Sequence, residues 1–140
     1  MAHLIPRQAK VRVVLFGKHE IKLYSIGWMA YAFRRHPETV KAWERSGILP
    51  DPLLKTGGKW RYYTANEIEA YALIFQSFGV GSGNRIDKQK FAMAFHDKHA
   101  ELKQLFRGSP SAVKARLHNE AALLQYAATL LDDNNRADLN

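Results

Sequence analysis

Between Tyr24 and Thr64 the chain reads YSIGWMAYAFRRHPETVKAWERSGILPDPLLKTGGKWRYYT, and the helix breakers in that stretch decide most of what it can fold into. Proline has no amide to donate and a φ already near the helical value, so Pro37 predicts the first position of a helix. That helix must stop by Ser46-Gly47, because Pro50 and Pro52 then restrict the residues before them to extended backbone. Gly57-Gly58 permits a tight reversal, and Lys59-Trp60-Arg61-Tyr62-Tyr63 returns from it with cations and aromatics on alternate positions. Upstream, Ile26, Met29, Ala30 and Phe33 recur at three and four and share one helical face, with Ser25 placed to cap it. On the helix after Pro37, Val40 and Trp43 point inward and Thr39, Lys41 and Arg45 outward. Two short helices so closely linked must cross steeply, and with the hairpin behind them they predict a winged helix-turn-helix.

The flanks extend this unit. Val11 to Phe16 and Ile21 to Tyr24 are rich in β-branched and aromatic residues and predict a β-hairpin. Thr64 and Glu67 have capping-box spacing ahead of a stripe formed by Ile68, Tyr71, Ala72, Phe75 and Phe78, so a third helix is expected up to Gly79. The run Gly79-Val80-Gly81-Ser82-Gly83 predicts a linker. Beyond it, Phe91, Phe95, Leu102, Leu105 and Phe106 mark one helix, and Val113, Leu117, Ala121, Leu124, Ala128 and Leu131 a second, broken at Arg107-Gly108-Ser109-Pro110. This αα-hairpin has little to bury alone and must pack on the winged module or on its copy in another subunit. The expected fold is mainly α. A basic arm (1–10) precedes a winged helix-turn-helix (11–79) with a small β-hairpin wing, then come a Gly-rich linker (80–86), a C-terminal αα-hairpin (87–131) and a polar tail (132–140).

With 21 Lys and Arg against 13 Asp and Glu among 140 residues, the formal charge is +8, which favours polyanionic partners. The absence of cysteine excludes disulfides, thiolate zinc sites and thiol catalysis. No apolar run approaches the roughly 20 residues that cross a bilayer, and MAHLIPRQAK lacks the apolar centre of a secretory signal, so a cytoplasmic protein of a bacterium or a phage-infected host is expected. No catalytic triad, paired carboxylates or phosphate-loop lysine stands out, and no enzymatic activity or cofactor is expected. His96 and His99 offer half a metal site at most, so no metal is expected.

Duplex DNA is the polyanion that makes these residues work together. A helix enters the major groove with its exposed side chains against base edges, while a basic wing holds phosphates beside it. The expected DNA-binding residues are Arg34, Arg35, Thr39, Lys41 and Arg45 around the second helix, with Lys55, Lys59, Arg61 and Tyr63 on the wing. The third helix carries glutamates and neither lysine nor arginine, as a one-sided footprint requires.

The run Thr39-Val40-Lys41-Ala42-Trp43-Glu44-Arg45-Ser46-Gly47-Ile48-Leu49-Pro50, followed by Gly58-Lys59-Trp60-Arg61-Tyr62-Tyr63-Thr64, resembles the winged helix-turn-helix of the MerR superfamily. The resemblance implies recognition-helix roles for Thr39, Lys41 and Arg45 and a phosphate contact for Arg61. Ala42 stands where the transcriptional regulators usually carry an aromatic, a change more frequent in phage-type relatives, and the single long dimerisation helix is lacking. A transcriptional regulator or recombination accessory factor is expected, working as a homodimer or higher homo-oligomer through Phe91, Phe95, Leu102, Leu105, Leu117, Leu124 and Leu131. The alternatives are a phage terminase small subunit, which would add a second protein partner, and a protein-interaction module without specific DNA binding.

Overall fold

The computed structural model describes residues 9–55, 61–78 and 87–117. Strands β1 (Val11–Phe16) and β2 (His19–Ser25) lead into helices α1 (Ile26–Phe33) and α2 (Pro37–Arg45); strand β3 (Tyr62–Tyr63) and helix α3 (Ala65–Ser77) follow. Helix α4 (Lys88–Leu102), a 3-10 turn (Lys103–Phe106) and helix α5 (Pro110–Arg116) complete the described chain.

The sheet is antiparallel in the order β1-β2-β3. Its hairpin register pairs Val14 with Ile21 and Phe16 with His19 across the two-residue turn Gly17-Lys18. Gly17 has φ +63, and a Cβ there would lie 2.8 Å from the Pro110 ring at the start of α5. Gly17→Ala is therefore expected to cost about 1–3 kcal/mol by combining left-handed backbone with a clash, and a lowered urea midpoint at unchanged m-value checks it.

The helices follow their sequence signals with one exception. Pro37 stands at the start of α2 with His36 as N-cap, its Nδ1 accepting from the Glu38 amide. Thr64 and Glu67 form the complete capping box of α3. Ser25 precedes α1 but makes no side-chain cap, since its hydroxyl accepts the Lys10 amide at 2.8 Å and ties the start of β1 to β2.

Helices α1, α2, α3 and α4 share one core. Phe33 of α1 stacks on Phe75 of α3 at 4.9 Å and lies nearly parallel to Phe95 of α4 at 6.2 Å. Trp43 of α2 meets Phe91 of α4 edge-on at 5.4 Å. Phe91 and Phe95 are completely enclosed, each burial contributing about 1.5–3 kcal/mol. Of the two partners expected for the C-terminal helices, α4 thus takes the winged module. Assigning Phe91 and Phe95 to contacts between subunits is corrected, because their rings are consumed inside the chain.

A second, smaller cluster lies on the other face of the β-hairpin. Ile21, Leu23 and Val113 are buried there, with Val14, Phe16, Leu54, Tyr62, Phe106 and Leu117 packed around them. Helix α5 packs on β2, whereas α4 packs on α3, so among the described residues the two are not paired with each other; the rest of the expected αα-hairpin, 118–131, lies outside them. Leu117 turns to extended backbone at φ −87, ψ 135, which ends α5 and breaks the continuous helix expected through Leu131. Leu124 and Leu131 lie outside the described residues. The side of β1 that bears Val13 and Leu15 stays uncovered among the described residues, at 52% and 71% exposure.

Candidate nucleic-acid interface

Helix α2 is amphipathic across its nine residues. Val40 is fully buried and Trp43 packs on the core, while Thr39, Ala42 and Arg45 are exposed on the opposite side. Lys41 is half-buried and bonds Glu38 one turn earlier at 3.4 Å, an exposed pair of small energetic weight. Arg34 makes the steep crossing of α1 and α2 possible, since its φ of 59 is left-handed and its amide caps α1 by reaching the carbonyls of Ala30 and Tyr31. Gly47, at φ +83, ends the helix by the same device at lower strain.

The wing is anchored to this helix. Arg61 Nε lies 3.2 Å from Glu44 of α2, and its terminal nitrogen lies 2.7 Å from Asp51 in the segment after α2. The Tyr63 hydroxyl donates to the other Glu44 oxygen at 3.2 Å. Burial raises the Glu44 pKa, and the opposing pull of Arg61 and Tyr63 does not cancel it. Burial followed by the Glu44 charge raises the Tyr63 pKa, so the hydroxyl remains a donor throughout the useful pH range. One helical carboxylate thus orients both the wing cation and the wing strand.

The structure sorts the expected DNA-binding residues. Thr39 and Arg45 on α2, Lys55 after it and Arg61 at the wing are each exposed, and Lys41 is half-buried. Arg35 is turned inward, its guanidinium 5.1 Å over the Phe75 ring and bonded to the Arg34 carbonyl. Arg34 is half-buried with an enclosed Nε and serves as the α1 cap. Tyr63 is fully buried, which corrects its placement at the surface: its register with Tyr24 turns both rings into the core. Lys59 and the Gly57-Gly58 tip lie outside the described residues. The described wing strand pairs with β2, through Tyr24 to Tyr63 and Ser25 to Tyr62, and no strand forms over residues 50–55.

Sequence reasoning missed Glu44 and Asp51 as anchors of Arg61; three charged groups so far apart in the chain give no periodic signal. It also missed the hold of α4 on the recognition segment. His96 Nε2 lies 2.8 Å from the Gly47 carbonyl just beyond α2. His99 has a lowered pKa because burial, and then the charge of Lys103, disfavours its cation. No group of three or more histidine, aspartate or glutamate side chains suited to a metal occurs among the described residues. Nor is any described helix long and apolar enough to cross a membrane.

Residues 24–82 match the MerR HTH family regulatory protein, a span that begins at the end of β2 and takes in α1, α2, β3 and α3. No curated protein and no solved structure matches the chain. The β-hairpin before Tyr24, together with α4 and α5, falls outside the matched span and packs around it. Within that surround, residues 24–82 are similar to the helix-turn-helix of the MerR family of regulatory proteins.

Proposed function

We propose that the protein is a sequence-preferring binder of double-stranded DNA that regulates transcription or assists recombination. The reading rests on one observation above others: the exposed side chains of α2 and the cation of the wing are tied into one surface through Glu44. In this reading α2 lies in the major groove, Lys41 and Arg45 reach base edges, and Arg61 and Lys55 hold phosphates beside it. A homodimer or larger homo-oligomer on paired half-sites completes the reading, and light scattering with and without duplex measures it.

Site selection from random duplexes followed by salt titration tests the interface. Lys41→Ala and Arg45→Ala are expected to cost about 1–3 kcal/mol on the selected site and to relax preference at one or two base pairs. Arg61→Ala is expected to weaken all sequences alike and to reduce the salt slope by about 1. Wild-type binding in all three variants would remove α2 and the wing from the interface. A wild type with no preferred site would reduce the protein to a basic scaffold that binds DNA through charge alone.

A further inference from the structure

The segment from Asp51 to Lys55 runs from the recognition helix toward the wing and belongs to no strand. It is held by side chains. Asp51 pairs with Arg61 at the surface, Leu54 packs in the small cluster, and the Leu53 amide donates to Glu67 Oε2 at 3.1 Å. Glu67 is fully enclosed. Its Oε1 accepts from the Thr64 amide at 2.9 Å and from the Thr64 hydroxyl at 3.0 Å.

A capping box needs one acceptor oxygen at its third position, and glutamine supplies that as well as glutamate. Enclosing a carboxylate is costly unless both oxygens are used. Here the second oxygen reaches out of α3 to a backbone amide 14 residues earlier in the chain. We propose that Glu67 is a positioning residue of the DNA interface: its second oxygen fixes the chain at Leu53 and so sets where Lys55 and Arg61 stand relative to α2. This inference rests on the DNA-binding reading above.

Glu67→Gln separates the two duties of the side chain. With its amide oxygen toward Thr64 it keeps the cap, and the amide nitrogen then meets the Leu53 amide donor to donor. On the duplex selected by the wild type, the variant is expected to lose about tenfold in affinity for every sequence and about 1 in salt slope, with base preference unchanged. Thr64→Ala is the control, because it weakens the cap of α3 without removing the Leu53 acceptor, and it should keep the wild-type slope. Both are measured well below their melting temperatures. A Glu67→Gln variant that is folded and binds with wild-type slope and affinity would overturn the proposal, as would a slope lost equally in Thr64→Ala. Hydrogen exchange on the unmutated protein gives a test independent of any variant's folding. The Leu53 amide should exchange much more slowly than those of Asp51 and Lys55, and equal rates would overturn the proposal. If the wild type selects no site at all, the DNA-binding reading fails instead, and the exchange result still reports on the Leu53 bond.

Discussion

Phe95→Ala is expected to destabilise the protein by about 3–5 kcal/mol, a large part of the roughly 5–15 kcal/mol that holds a domain of this size together. The ring is completely enclosed, 4.5 Å from Phe91, 5.4 Å from Tyr71 and 6.2 Å from Phe33. Those neighbours belong to α4, α3 and α1, so truncation opens a cavity where three helices meet, and no single helix can close it. Met93, two residues earlier on the same helix, is 58% exposed, and its replacement by alanine should fall within about 0.5 kcal/mol of the wild type. Urea unfolding of both variants measures the contrast. If α4 served only to join subunits, Phe95→Ala would instead dissociate the assembly and leave the unfolding midpoint of the helix-turn-helix unchanged. The expected outcome is the reverse, with DNA binding disappearing as the fold is lost.

The helix-turn-helix was legible because local rules and tertiary structure agree there. Pro37, the Thr64 and Glu67 capping box and the three-and-four spacing of Ile68, Tyr71, Ala72 and Phe75 each act within one or two turns of chain. The placement of α4 was not legible. An apolar stripe says that Phe91 and Phe95 are covered, not by what, and only the meeting of Phe33, Trp43 and Phe75 in space provides their partner. Ser25 has the right side chain for a cap, but the Lys10 amide, fifteen residues away, takes its hydroxyl first. Tyr63 was ambiguous in the same way. Period-two alternation separates the two faces of a strand without saying which is solvated, and the pairing with β2 decided it. For Arg35 a cation beside a recognition helix suggested DNA, whereas the Phe75 ring lies close enough to hold its guanidinium against the protein's own core. These failures share one cause: each depends on a contact between elements distant in the chain.

Stability is expected to fall as pH rises from about 4.5 to 7, and Glu67 should carry much of that slope. Burial pushes its pKa from 4.5 up to about 7, against the lowering effect of the hydrogen bonds from Thr64 and Leu53. Below 4.5 the carboxyl is neutral both folded and unfolded, so its contribution is fully present. Between 4.5 and 7 the unfolded chain has released the proton that the folded chain retains, and stability is lost until both forms are charged. The total is on the order of 3 kcal/mol. Glu44, also raised by burial, works in the same direction. His99 works in the opposite one, because its lowered pKa makes folding more favourable as pH rises through the range below 6.5. Both are present in Glu67→Gln, so the difference between wild type and variant isolates the Glu67 contribution. Urea titrations across that range should show Glu67→Gln gaining on the wild type by about 3 kcal/mol between pH 4.5 and 7.5. A difference that does not change with pH would mean that the enclosed carboxyl titrates as it does in the unfolded chain. The hydrogen bonds from Thr64 and Leu53 would then have offset the whole cost of burying it.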